Sequence, residues 1–340
     1  MTMILITSQR FEEHVTPPGH PERIERAHVF DAVAARWTVR GGQTMLPRPA
    51  RRDELERVHD SRHIDRIEAT SGKAVMLDPD TFTSPESHEI ALLAAGAAIV
   101  ATEHALDHRE PALALVRPPG HHAERQRAMG FCLFNNVAVA AAAALARGLQ
   151  RIAVVDIDVH HGNGTQEIFY EDRRVLYLST HQFPFYPGTG SAGEIGARDG
   201  LGFTVNVPME AGCADADYDL VCRSVIVPVL DQFAPELLIV SAGYDAHERD
   251  PLASMRVTTA GYTAMVRLLC SVAGTKNAAL AVVTEGGYDL QALAACLEAT
   301  CAALDEPPQS LSRPSRDSAP RGERALAEVR AAQSRFWRAI

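Results

Sequence analysis

None of the six cysteines (Cys132, Cys213, Cys222, Cys270, Cys296, Cys301) forms a CxxC pair, and the chain is far longer than a small disulfide-framed domain. They read as reduced, mostly buried thiols. Long apolar runs are missing too: no stretch approaches the ~18 uninterrupted apolar residues of a membrane span. The first residues, MTMILITSQR, hold no charged leader followed by a long apolar segment. A cytoplasmic protein without a membrane partner is expected. Positive charge is scarce, with 33 Lys and Arg against 43 Asp and Glu and a formal net charge of -10. That balance disfavours nucleic acid, whose phosphates need clustered cations, and suits a cationic amine substrate, although solubility is the ordinary reason for such charge. No phosphate loop is present, because Gly162-Asn163-Gly164 opens no GxGxxG pattern, so nucleotide binding is disfavoured. No internal repeat is evident.

What the chain holds in quantity is apolar residues, 46% hydrophobic against 22% charged, the balance of a globular protein with a sizeable core. At 340 residues, one large α/β domain is the starting expectation. Short runs rich in β-branched residues recur at 4–7, 113–116, 152–156, 175–179, 203–207, 237–241 and 281–284. Each reads as a strand buried on both faces. Between them, Ala-rich or amphipathic stretches at 87–106, 136–146, 218–232 and 259–273 are long enough for helices. This alternation predicts a parallel sheet with right-handed crossovers. The Pro-, Ser- and Arg-rich stretch 306–321 reads as a connection from a body spanning 1–305. It leads to a terminal helix over 322–340, whose Leu326, Val329 and Phe336 would pack back on that body.

In such a fold ligands bind beyond the carboxyl ends of the strands. Four runs are followed there by polar, titratable residues: Arg117 to His122, Asp156 to His160, Gly243 to Asp245 and Glu285 to Tyr288. A purely structural protein has little use for that pattern. In Asp156-Ile157-Asp158-Val159-His160, alternation along a strand puts two carboxylates and an imidazole on one side. Burying carboxylates together is costly without a cation, so a bound metal is one solution; an Asp capping a helix that begins near Gly164 is the plainer one. Asp245, after the small residues Ser241, Ala242 and Gly243, reads as a third ligand or, alone, as a turn residue. An Asp, His, Asp set leaves a fourth position open, as a catalytic site requires. His121 and His122, after Pro118-Pro119-Gly120, have the pKa to pass protons, unless they are ordinary surface histidines. Tyr288, beside two glycines, is placed to donate to a developing oxyanion, whereas a lone tyrosine is more commonly a core residue.

Taken together, RPPGHHAE (117–124), GFCLFNN (130–136), DIDVHHGNGTQ (156–166), SAGYDAHERDPL (241–252) and EGGYD (285–289) resemble the histone deacetylase family, its bacterial class II-like members included. The likeness runs from HPER (20–23) to VRAAQSRFWRAI (329–340). It implies the arginase-deacetylase fold, a single α/β domain around an eight-stranded parallel sheet. The implied activity is that of a zinc-dependent amidohydrolase removing acetyl or other short acyl groups from lysine side chains or related amines by metal-activated water. On this resemblance Asp158, His160 and Asp245 match the zinc ligands, His121 and His122 the tandem histidines, and Tyr288 the oxyanion-stabilising tyrosine. Asp156 matches the carboxylate behind His121 and, with Asp158, His160, Ser179 and Thr180, a structural potassium site. Gly130, Phe131 and Tyr186 match the acyl-lysine tunnel, with Tyr186 standing where Phe is more usual. Asn163 stands where class I members carry Asp, which takes a carboxylate partner from His122. Leu252 falls where polyamine-selective relatives place a Glu gatekeeper, so a lysine substrate is favoured.

Two rivals share the scaffold: an acetylpolyamine deacetylase, and an arginase-like ureohydrolase with two manganese ions, for which the loop after Ser241 supplies few ligands. A rival from another class is a non-catalytic acyl-binding metalloprotein. Such a protein would tolerate loss of His122 or Tyr288, and the chain keeps both. Two Asp and one His would also hold iron(II) or cobalt(II). The expected partner is an acetylated lysine in a protein or peptide, or a small acetylated amine. The sequence is compatible with an oligomer as well as a monomer.

Overall fold

The computed structural model describes residues 3–307, 315, 317–338 and 340. Its strands are β1 (Ile4–Ile6), β2 (Gln43–Met45), β3 (Val75–Asp78), β4 (Thr81–Thr83), β5 (Ala112–Ala114), β6 (Ile152–Asp156), β7 (Val175–Gln182), β8 (Thr204–Met209), β9 (Leu237–Ala242) and β10 (Ala279–Thr284). Eight of them form one sheet in the order β2-β1-β5-β10-β9-β6-β7-β8, parallel at every pairing, while β3 and β4 make a separate antiparallel hairpin. This is the predicted α/β fold with its eight-stranded parallel sheet. All seven predicted runs enter it; the eighth member, β2, is an exposed edge strand without an apolar run.

Alternation along the strands divides the core between the two faces of the sheet. Leu5, Leu113, Ala153, Val155, Leu238, Val240, Leu280 and Val282 face one apolar layer. Ile4, Ile6, Ala112, Ala114, Ile152, Val154, Ile239 and Val283 face the other. With helices on both sides, every strand of the centre is buried, which is why these strands read as continuous apolar runs rather than alternating ones. The helix Ser87–His108 is long and apolar enough to cross a membrane by length and composition. Here it packs against Asn136–Ala146 and β10.

The stretch predicted as one helix at 218–232 is a helix in three parts: Asp215–Val221, a π-helical turn over Cys222–Ile226, and Val227–Phe233. Pro228 explains the break, since its ring nitrogen has no hydrogen to donate to the preceding turn. The last helix, Pro320–Gln333, lies against Asp215–Val221 and β8. Asp217 Oδ1 accepts from the backbone N–H groups of Arg321 and Gly322, and Gln333 and Trp337 donate to the carbonyls of Thr204 and Gly202. Of the connection expected at 306–321, residues 308–314 and 316 lie outside the described residues.

Candidate active site

β6 ends at Asp156, and the backbone turns there instead of continuing as a strand. Asp156 Oδ1 accepts from the N–H of Asp158 at 3.2 Å, and Asp158 Oδ1 from the N–H of His160 at 2.9 Å. Strand alternation is therefore not what gathers the group, and Asp156 parts from the other two. Its Oδ2 lies 3.1 Å from Nδ1 of His121 and accepts from the Tyr177 hydroxyl at 3.1 Å. Asp158 and His160 turn instead toward Asp245, beyond the end of β9. The ligand atoms of these three buried residues all lie within 4.8 Å of one another. No side chain of this trio caps the helix Asn163–Phe169, whose N-cap is Gly162.

Backbone donors orient the carboxylates: Val159 N–H donates to Asp245 Oδ1 at 2.9 Å and Gly286 N–H to Asp158 Oδ2 at 2.8 Å. A Cβ at Gly243 would overlap a carboxylate oxygen of Asp158, and one at Gly286 would overlap Asp245. Close approach is thus what these two glycines permit. His160 Nδ1 sits 3.2 Å from Asp158 Oδ1 and 3.1 Å from Asp245 Oδ2. Burial pushes the Asp245 carboxyl up to about 7, with the Asp158 charge adding to it against the pull of His160. Burial lowers His160, but its bonds to the two carboxylates win and raise it to about 10. The trio thus attracts positive charge. Two carboxylates and one imidazole converging in this way fit a divalent cation.

His121 and His122 are both buried, not surface residues. Their loop is gripped by Glu285, whose Oε2 accepts from the N–H of Gly120 at 2.6 Å and of His121 at 3.2 Å, while its Oε1 accepts from Ser241 Oγ at 2.9 Å. Desolvation would lower the His121 imidazole, yet the charges of Asp158 and Asp156 outweigh it and raise it to about 10. His122 behaves oppositely. Burial, then the positive charges of His121 and His160, drive it well below its ordinary value. Its Nδ1 pairs with Asn163 Oδ1 at 2.8 Å. The neighbouring rings, one held charged and one held neutral, have centroids 4.0 Å apart.

Tyr288 is pinned through its N–H, which donates to Asp250 Oδ2 at 2.6 Å. Arg26 lies over its ring with the guanidinium carbon 5.2 Å from the centroid, donating to the carbonyls of Gly287 and Glu285 and to Glu22 Oε1. Glu22 in turn pairs with Arg117, so a buried ion network underlies the tyrosine. Burial holds the phenol well above its ordinary pKa, hence neutral. The rings of Phe131 and Tyr288 meet edge-on at 5.9 Å, and the positive φ angles of Gly130 and Phe131 turn Phe131 toward it. The Tyr186 ring lies 5.2 Å from that of His122, and Phe185 stacks on His160 at 5.5 Å. Leu252, Tyr288, His20 and Ile24 line a cavity of about 490 Å³. On β7, Ser179 is the register partner of Asp156 and bonds to His181 Nδ1, while Thr180 Oγ1 is buried without a partner.

The structure therefore brings Asp158, His160 and Asp245 together, with His121, His122 and Asp156 beside them. Sequence reasoning assigned no role to Asp250, Arg26, Glu22 and Phe185, and marked Glu285 only as the acid that follows a buried strand within EGGYD.

A parallel α/β sheet whose middle strands end in a buried carboxylate–imidazole ligand set defines a protein built around a candidate metal centre. Residues 20–304 match the histone deacetylase domain, and the chain belongs to the histone deacetylase family. It is 40% identical to Histone deacetylase 15 of Arabidopsis thaliana over 98% of its own length and 61% of that protein. It is 37% identical to a probable deacetylase of Archaeoglobus fulgidus over 98% of both chains. A histone deacetylase-like amidohydrolase of Pseudomonas aeruginosa shares 39% identity over 81% of this chain and 72% of that one. Among solved structures, the crystal structure of the HDA15 HD domain superposes with a TM-score of 0.91 at 37% identity, covering 99% of this chain and 95% of that one.

Proposed function

We propose that this chain is a zinc-dependent amidohydrolase that removes acetyl groups from lysine side chains or related amines. The observation that carries this reading is the meeting of Asp158, His160 and Asp245 within 4.8 Å, next to the buried His121 and His122, which Asp156 and Asn163 hold through their Nδ1 atoms. Those three residues would hold the ion. When bound, a divalent cation supplies Lewis acidity, polarising an amide carbonyl and bringing the pKa of a water from 15.7 to about 7. The remaining work falls to the chain's own side chains. Nε2 of His122 takes a proton from the attacking water and returns it to the departing amine, so that the C–N bond breaks to give acetate and the free amine. His121, kept protonated by Asp156, offers positive charge where negative charge develops. The Tyr288 hydroxyl donates to the carbonyl oxygen as it becomes an oxyanion.

Phe131 and Tyr186 would flank the aliphatic part of the substrate and keep water from it. Leu252 at the mouth favours acetyl-lysine over an acetylpolyamine, because position 252 offers the free ammonium of such a substrate no carboxylate. Asp156, Asp158, His160, Ser179 and Thr180 would form a potassium site, in which Ser179 is the register partner of Asp156. The test is steady-state hydrolysis of an acetyl-lysine peptide and of acetylputrescine by protein stripped with a chelator and reloaded with zinc, iron(II) or cobalt(II). Metal-dependent turnover favouring the peptide is expected. Absence of metal-dependent hydrolysis of either substrate would overturn the assignment, and a preference for acetylputrescine would overturn the role given to Leu252.

A further inference from the structure

His122 is held by Asn163, and Asn163 is held by a third side chain. Asn163 Oδ1 lies 2.8 Å from Nδ1 of His122, while its Nδ2 donates to Glu124 Oε1 at 2.8 Å and to Met129 Sδ at 3.4 Å. A side-chain amide is nearly symmetric in shape but not in chemistry, since its oxygen only accepts and its nitrogen only donates. Turned over, Asn163 would set its oxygen against a carboxylate oxygen and a thioether, two acceptors. Its nitrogen would then donate to Nδ1 of His122. The imidazole proton would be forced onto Nε2, and the nitrogen left to meet a substrate would have no lone pair. An aspartate at 163 would face no such choice, because both of its oxygens accept.

Resting on the reading in which His122 takes the water's proton, we propose that Glu124 is a positioning residue for His122: by accepting from Nδ2 of Asn163 it keeps Oδ1 toward Nδ1, and so holds the imidazole with its proton on Nδ1 and its lone pair on Nε2. Glu124 is itself anchored. Its N–H donates to the carbonyl of Arg127 at 2.9 Å, and its own carbonyl accepts from Nδ1 of His59 at 3.0 Å. The N–H of Asn135 donates to Nε2 of His59 at 2.9 Å, which leaves the His59 proton on Nδ1, facing Glu124. The backbone of Glu124 is thus fixed relative to the core helix Asn136–Ala146, which Asn135 caps.

Three variants of the zinc-loaded protein read this out. Glu124→Leu removes the acceptor at similar bulk, Glu124→Gln keeps an oxygen that can accept, and Glu124→Leu is repeated in an Asn163→Asp background. Glu124→Leu is expected to lower kcat about tenfold or more with KM nearly unchanged, because part of the His122 population carries the wrong tautomer. Glu124→Gln should stay within about threefold of the native enzyme. In the Asn163→Asp background, where a second carboxylate would face Glu124, Glu124→Leu should leave turnover equal or higher, since it removes a repulsion and the orientation it secures no longer matters. Nitrogen NMR of the histidine-labelled protein should show His122 with a bare Nε2 in the native chain and a mixture in Glu124→Leu. An equal loss in both backgrounds marks Glu124 as merely structural and overturns the proposal, as does an unchanged His122 tautomer in Glu124→Leu. If the native chain hydrolyses no acetyl amide, the proposed function fails while the tautomer measurement still decides the role of Glu124.

Discussion

Glu285 Oε2 accepts from the backbone N–H of His121, so the residue that directly follows β10 holds the loop that bears the tandem histidines. The two lie 164 positions apart in the chain. Glu285 is fully buried, and removing it leaves Gly120 N–H, His121 N–H and the Ser241 hydroxyl without their acceptor. Glu285→Ala should therefore destabilise the fold by about 2–4 kcal/mol, the penalty of unsatisfied buried donors, read as a lower urea midpoint. Glu285→Gln, which can still accept at one oxygen, should lose less. A midpoint unchanged in Glu285→Ala would show that water replaces the carboxylate without cost.

Tyr288→Phe removes a hydroxyl while leaving the ring between Arg26 and Phe131. Turnover should fall on the order of a hundredfold, the cost of one oxyanion donor, with metal content unaltered. Near-normal turnover in this variant would take Tyr288 out of the reaction.

Gly243→Ala changes no ligand type, yet its added methyl overlaps the Asp158 carboxylate. Zinc bound per chain should drop well below that of the native protein while circular dichroism stays the same, and His160→Ala should do the same by deleting a ligand outright. Full occupancy in Gly243→Ala would mean that the loop gives way freely; full occupancy in His160→Ala would strike that residue from the ligand set.

Burial drives His14 down to about 4 and His59 to about 3, so both are neutral in the folded protein at pH 5. Unfolded, each takes up a proton as the pH falls through about 6.5. At these two positions the unfolded state then binds more protons between these limits, so the stability they contribute is full above about pH 6.5 and is lost as the pH falls toward 4, by a few kcal/mol. Asp245 and Glu285, raised to about 7 by burial, act in the opposite direction over the same range. Histidine NMR of the chelated protein from pH 7.5 to 4.5 isolates the effect: neutral His14 and His59 rings at pH 5 are expected, and a ring that takes up its proton near pH 6.5 would contradict it.

How much of this was legible depended on whether the physics was local. Ile152–Asp156 and Asn136–Ala146 match their predicted bounds because each is an unbroken apolar run with a clear stop, the helix opening on the Asn135 cap. The edge strand Gln43–Met45 has no such signature, being exposed and made a strand only by its pairing with β1. Asp158, His160 and Asp245 were visible as motifs at strand ends. Alternation suggested the right group for the wrong reason, since the chain turns after Asp156 and sends that carboxylate to His121 instead. The ties from Arg26 to Tyr288 and from Glu285 to His121 left no trace in any single segment, because only the sheet order makes those residues neighbours.

That order also decides when the centre can exist. β10, the last strand to be made, sits between β5 and β9, dividing β2, β1 and β5 on one flank from β9, β6, β7 and β8 on the other. A chain emerging from the ribosome therefore carries two half-sheets with no common seam until residue 284 is available. His121 waits on one flank, and Asp158, His160 and Asp245 wait on the other. The closing strand is the keystone of the arch, and a nascent chain that lacks it cannot align the paired histidines with Asp158, His160 and Asp245.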